Sequence, residues 1–338
     1  MAGKRARRTL TRETTISDIA AAAGVSKATV SRVMNGVSTV NEEIAKRVRD
    51  VVVELGYSPS QTARSLSLGV SQTVGVLVPD LENPMFHQVL NGFNRAAARD
   101  GYRVLVADAF EDADREAEVA IDLRDRTDAV ALFAPRMTRE NLLELIPRIS
   151  PVVVFNRTTG KNAGSVLIDY REGITLIARH LINLGHKKIA YLSGPTSSRS
   201  NWERQKGLDD LRAHEPDVDI IDVPCGHSFQ DGYEAWSAFS HTGVSAAIAF
   251  NDVVALGLLG RLAEEGVSVP EDLSVAGFDD IPFASYSSPS LTTMTARLSG
   301  IGERVWQVLR AEMTDSPDRE PVVFSPELVV RGTTKVKA

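Results

Sequence analysis

The sequence predicts an α/β protein in two parts: an N-terminal all-α helix-turn-helix domain, and a core of two similar lobes, each a parallel sheet with flanking helices. Three observations carry this reading. Residues 15–35 hold two short amphipathic helical stretches around a glycine. From Thr73 onward, short apolar runs alternate with amphipathic stretches, the mark of parallel sheets layered with helices. The charge is also split: residues 1–69 hold 11 Lys and Arg against 6 Asp and Glu, a net +5, and the remainder holds 27 against 38, a net −11. Positive charge confined to the first fifth of the chain suits a phosphate backbone, where counterion release drives association.

The first helical stretch has Ile16, Ile19, Ala20 and Ala23 at the spacing of one buried face. Thr15 and Asp18 form a capping-box pattern at its start. Gly24 supplies the turn, where φ > 0 costs glycine least. Ser26 caps the second stretch, whose Val30 and Val33 face inward. Its outer face carries Lys27, Ala28, Thr29, Ser31, Arg32 and Asn35. Short polar, small and basic side chains on one helix face fit a DNA major groove, although a plain helical hairpin with a solvated face has the same pattern. A third helix follows, capped by Asn41, with Glu42 and Glu43 in its first turn and Ile44, Ala45, Val48, Val51, Val52 and Leu55 as its apolar stripe. After Tyr57, Ser60 can cap a short helix with Ala63 and Leu66 on one face, too short to stand alone in water. The basic tail (Lys4, Arg5, Arg7, Arg8, Arg12) either trails along DNA or is a solubilising extension.

In the core, the apolar runs Val74–Val78, Arg103–Ala107, Ala129–Phe133, Val152–Phe155, Val166–Ile168, Ile189–Leu192, Ala246–Phe250 and Ser274–Ala276 read as strands. So many strand–helix units favour two lobes over one. Ligands of open parallel sheets bind beyond the carboxyl ends of the strands. The residues found there are Asp80, Asn83, Asp108, Asn156, Arg157, Asp169, Ser193, Gly194, Asn251, Asp252, Asp279 and Asp280. As a set they suit a ligand rich in hydroxyls, with Phe86, Trp202 and Phe229 available to cover an apolar ring face. Singly, such residues are usually turn formers or helix caps.

Other classes find little support. The single Cys225 excludes an internal disulfide and fits a reducing cytoplasm. No apolar run approaches a membrane span, and no apolar segment follows the basic N-terminus to make a secretory signal. Six histidines are scattered without metal-ligand spacing, and no nucleophile elbow or phosphate-cradling glycine loop occurs. Neither catalysis, a metal nor a cofactor is expected.

Several segments in order resemble the LacI/GalR family of bacterial transcription regulators. They are Gly24 to Asn35, Tyr57 to Leu66, Val76 to Phe86, Leu184 to Pro195, Ala249 to Asp252, Leu273 to Asp280 and Pro289 to Thr293. The resemblance implies a basic tail (1–13), a DNA-binding domain (14–59), a hinge helix and linker (60–72) and a periplasmic-binding-protein-like core (73–338). It divides the core into an N-lobe of about 73–168 and 298–324 and a C-lobe of about 169–297 and 325–338, with crossings near 170, 297 and 325. It places base reading on Lys27, Ala28 and Arg32, other DNA contacts on Thr15, Ser26, Thr29, Ser31, Asn35 and Tyr57, and a minor-groove wedge on Leu66 beside Ala63.

For the effector, the resemblance points to Phe86, Arg157, Asp169, Arg204, His227, Asn251 and Asp279, joined by Asp80 from the strand-end set. His227 stands where many members carry an aromatic, and Phe229 follows two residues later, so the stacking residue is open between them. Arg157 and Arg204 suit an anionic effector, unless Asp169 or Asp279 neutralises them and leaves a neutral carbohydrate site. The function implied is a cytoplasmic repressor, a homodimer on a pseudo-palindromic operator in double-stranded DNA, controlled by a carbohydrate-like effector. A sugar phosphate, a nucleoside or a partner protein is the alternative signal. No heptad run follows Arg331 to add a coiled coil.

Overall fold

The computed structural model describes residues 14–34, 39–57, 70–314 and 317–337. The expectations for Asn35, Ser60, Ala63, Leu66 and the basic tail lie outside these residues. The chain divides into two compact units, Met1–Ser71 and Gln72–Ala338.

The first unit contains α1 (Ile16–Ala23), α2 (Lys27–Met34) and α3 (Glu42–Glu54). The local signals act as their chemistry dictates. The Asp18 carboxylate accepts the Thr15 N–H at 2.8 Å, and the Thr15 hydroxyl accepts the Asp18 N–H, closing the capping box. Gly24 sits at φ 65°. The Ser26 hydroxyl accepts the Thr29 N–H at 3.1 Å, and Asn41 caps α3 by accepting the Glu43 N–H at 2.8 Å. Ile19, Ala20, Ala23, Val30 and Val48 form the core, with Val33, Val52 and Tyr57 packed around it.

The second unit opens with β1 (Thr73–Val78), α4 (Pro84–Arg99), β2 (Arg103–Asp108), α5 (Glu116–Arg126), β3 (Ala129–Phe133), α6 (Arg139–Ile149), β4 (Val152–Phe155) and β5 (Gly164–Ile168). Next come α7 (Tyr170–Asn183), β6 (Lys188–Ser193), α8 (Arg199–His214), β7 (Asp219–Pro224), α9 (Phe229–Phe239), β8 (Ala246–Ala249), α10 (Asp252–Glu264) and β9 (Ser274–Ala276). The remainder is α11 (Pro282–Tyr286), β10 (Thr293–Thr295), α12 (Leu298–Glu312), β11 (Val322–Phe324) and β12 (Glu327–Val329). Among the described residues these make two parallel sheets, ordered β11-β5-β4-β3-β1-β2 and β7-β6-β8-β9. The inner strands β3, β4 and β8 are buried on both faces, which is why they read as unbroken apolar runs. Asp219–Pro224 was not among the expected strands. It is an edge strand with only Ile220 and Val223 buried, and its acidic residues hide the pattern.

The chain passes between the sheets three times. After β5 it enters the second lobe through α7, after β10 it returns with α12, and after β11 it leaves again as β12, which pairs antiparallel with β10. The tail closes on the second lobe, where the Val275 N–H donates to the Thr333 carbonyl at 2.8 Å. α12 lies tightly against α4. Gly92 faces the Ser299 carbonyl and Gly302 faces the Val89 carbonyl, so closely that a Cβ at either site would collide with backbone. Phe93 meets Trp306 edge to face at 5.6 Å, and the Trp306 indole N–H donates to Asp100 at 2.8 Å. Gly92→Ala must push the helices apart and should cost about 1–3 kcal/mol, the scale of core overpacking. A urea denaturation midpoint unchanged from wild type would refute this close packing.

Candidate DNA-reading helix and effector cleft

On α2 the side chains divide by face. Val30 is buried, whereas Lys27, Ala28 and Arg32 are exposed and Thr29 and Ser31 are half-buried. The exposed set offers two cations and a methyl at one surface. Thr15 and Ser26, expected to touch DNA, spend their hydroxyls on helix starts, and Tyr57 packs against the small core.

In the second unit the carboxyl ends of both sheets converge on one cavity. The first sheet contributes Asn83 and Phe86 beyond β1, Glu111 beyond β2, Arg136 beyond β3 and Asn156 beyond β4. The second contributes His227, Asn251 and Asp279 beyond β7, β8 and β9, with Arg204 from α8. The free volume is about 20 Å³, room for about one water molecule, whereas ligand pockets run to hundreds of cubic ångströms. A ligand of several carbons therefore requires the lobes to part.

Arg204 is the central group. It is only 1% exposed. Its guanidinium lies 4.4 Å from the ring centroid of Tyr170, 4.7 Å from Phe250 and 4.1 Å from Phe278. Such stacking offsets part of the cost of burying the charge. Its Nε and Nη1 have no hydrogen-bond partner, and buried donors left unmade are costly. Asp279 sits nearby at φ 113°, a strained value for a side chain with a Cβ. Burial pushes its carboxyl up to about 7, with the Arg204 charge opposing. Its neighbour Asp280 turns away to pair with Arg331 at 2.6 Å. Behind them Asp252 accepts the Ile281 N–H at 2.8 Å and the Thr293 hydroxyl at 2.5 Å. Burial, then the Asp279 charge, hold the Asp252 carboxyl well above its usual range.

The other expected residues are placed unevenly. Phe86 and His227 line the cavity, and Asp80 lies near its rim, 3.9 Å from the His227 ring. Asn251 lines it too, but its amide is occupied: Oδ1 accepts the Val254 N–H at 2.8 Å and Nδ2 donates to the His227 carbonyl at 3.1 Å. Asp169 caps α7 through the Glu172 N–H at 2.9 Å and lines a neighbouring recess with Arg171 and Arg199. Arg157 donates to the Pro135 and Met137 carbonyls at 2.9 and 3.0 Å. Burial, then the Arg199 charge, lower its pKa. Phe229 opens α9 and is 47% exposed, away from the cavity. Trp202, also outside, stacks under Arg199 at 3.8 Å.

Two charged cavity residues are absent from the expected set. Glu111 and Arg136 bind each other through two hydrogen bonds of 2.6 and 2.7 Å. The rule applied to the other strands, a polar residue past the carboxyl end, would have found Arg136 three residues beyond Phe133. Tyr170 and Phe250 were missed for another reason. They sit at element boundaries, where an aromatic reads as core.

A small unit with a basic, groove-sized helix face, joined to two lobes around a polar cavity, defines a ligand-responsive DNA-binding protein. Residues 15–60 match the model of bacterial regulatory proteins of the lacI family, and residues 178–334 match a periplasmic binding protein-like domain. Catabolite control protein A of Staphylococcus xylosus is 32% identical over 95% of this chain and 99% of its own length. The structure of the lac repressor dimer bound to operator and the anti-inducer ONPF superposes with a TM-score of 0.86 at 25% identity, covering 96% of this chain and all of that one. A LacI family transcriptional regulator from Enterococcus faecium with bound ribose superposes at 0.70 and 25% identity, covering 79% of this chain and all of that one. The chain belongs to the lacI family of bacterial regulatory proteins. It is a DNA-binding transcriptional regulator with an effector-binding domain.

The buried carboxyl of Asp279 makes stability depend on pH. Its folded pKa lies above the ordinary value of 3.8, so its contribution is full below about pH 4 and is lost as pH rises through about 7. Wild type should lose stability across that window relative to Asp279→Asn, which carries no proton to lose. Urea denaturation of both proteins from pH 4.5 to pH 8 measures the difference. Parallel curves would show that Asp279 titrates as an ordinary carboxylate.

Proposed function

We propose that this protein is a cytoplasmic repressor, a homodimer on a pseudo-palindromic operator, released or held by a neutral carbohydrate bound between its lobes. The observation that carries the effector reading is Arg204, a buried guanidinium with two unmade donors beside a carboxyl, in a cavity shared by both sheets. Hydroxyl groups both accept and donate, so a polyol meets both needs at once. The charges favour a neutral ligand. Glu111 neutralises Arg136, Asp279 faces Arg204 electrostatically, and Arg157 is committed to carbonyls outside the cavity. The ribose carried by the Enterococcus faecium relative agrees with this choice.

A regulatory role without catalysis fits the same site. Burial, then the Asp231 charge, push the Cys225 thiol up to about 12, which makes it a poor nucleophile. No helix among the described residues is long and apolar enough to cross a membrane. The proposed boundaries are a DNA-binding domain at 14–59 and a hinge at 60–72, with Ala63 and Leu66 entering the minor groove. The core begins at 73, with its lobes meeting near 170, 297 and 325. The operator-bound lac repressor dimer supports this assembly.

A thermal-shift screen of neutral sugars, sugar phosphates and nucleosides tests the effector, because a ligand that binds only the native state raises its melting temperature. A neutral sugar should give the largest shift, and a shift from sugar phosphates alone would reject the reading. Asp279→Ala should lose that response while binding operator normally without effector. On the DNA side, Arg32→Ala should cost about 1–3 kcal/mol on the cognate operator and relax preference at one base pair. Equal weakening on all sequences would instead make Arg32 a phosphate contact.

A further inference from the structure

We propose a divalent transition-metal site at the rim of the cleft, formed by Asp80, Glu111 and His227 and bridging the two lobes. One ligand atom from each lies within 4.8 Å of the others, and all three residues are half-buried. Asp80 and Glu111 follow the first two strands of one lobe, whereas His227 follows β7 of the other. Imidazole with carboxylates is a donor set for zinc, nickel or cobalt.

The distances favour an ion over a direct bond. The His227 Nε2 and Asp80 Oδ2 are 3.9 Å apart, too far for a hydrogen bond. At a tetrahedral angle two metal–ligand bonds of about 2.0–2.2 Å set their donor atoms about 3.4 Å apart, so a shift of about 0.5 Å brings this pair onto an ion. Each carboxylate is also held by a hydrogen-bond donor, as ligating groups usually are. Asp80 Oδ1 accepts the Glu82 N–H at 2.6 Å, which leaves Oδ2 for the ion. Both Glu111 oxygens accept from Arg136, at 2.6 and 2.7 Å, so the ion takes a remaining lone pair on one of them. The backbone N–H of His227 donates to Asp231 at 2.9 Å, anchoring its loop. Arg136 offsets one of the two carboxylate charges, and Asp80 supplies the other.

An ion in this place ties the lobes together at the cleft mouth and opposes the parting that a ligand of several carbons requires. Sequence spacing hides the site, because its ligands stand at 80, 111 and 227 and meet only through the fold.

The test uses the untagged full-length protein, stripped with a chelator, dialysed and titrated with cobalt(II) and zinc. Wild type should bind one ion per chain, show cobalt d–d absorption and gain melting temperature with zinc. His227→Gln and Asp80→Asn, one change in each lobe, should each weaken binding at least tenfold and remove the zinc-induced gain, with metal-free melting unchanged. Wild type binding neither ion overturns the site, as does either variant binding as tightly as wild type. Neutral-sugar binding by the metal-free protein reports separately on the cleft, so a failure of either reading is seen on its own.

Discussion

A guanidinium buried almost completely is the constraint around which the core is arranged. Arg204 gives up its hydration, and such a charge persists only if its surroundings replace that solvation. Tyr170 comes from the start of α7, Phe250 from just past β8 and Phe278 from just past β9, so three separate elements must meet at the same place. Asn156, at φ 60°, holds the Tyr170 hydroxyl with its amide at 2.7 Å. Asp279 is strained and desolvated beside the same group. Strain and unmade hydrogen bonds together mark a site arranged for binding more than for stability.

The DNA-binding unit was legible because its determinants are local. A capping box, a glycine at φ 65° and an i, i+3, i+4 stripe act within a few residues, and α1, α2 and α3 formed where those signals lie. The fold class of the core was legible for a related reason. Strands buried on both faces leave an apolar signature, which the edge strands β7 and β11 and the short β10 and β12 lack. The cleft was harder. A polar residue after a strand can face a ligand or start the next helix, and the sequence does not say which. Asp169 and Asn251 start helices, Arg157 braces carbonyls, and Asp279 faces the cavity. That Glu111 and Arg136 pair depends on a contact between residues 25 apart, which position after a strand does not reveal.

The lobes are joined by three strands of chain and by contacts across the cleft mouth, including Gln88 Nε2 to the Asp280 carbonyl at 3.4 Å. With so little room inside, occupancy and lobe separation are the same event, and a ligand can shift the balance only by its different affinity for the two arrangements. The glycine-backed seam between α4 and α12 lies within the first lobe and packs that lobe closely.

Helix starts in and beside the cleft also bear on how such a protein acquires a new signal. Asn83, Asp169 and Asn251 each hold the first turn of a helix that supports the lobe. Exchanging them for a different ligand preference also unravels architecture, and losing such a cap typically costs about 1 kcal/mol. Phe86, Glu111, Arg136 and His227 carry no cap. A changed ligand preference therefore costs the least architecture at these four positions.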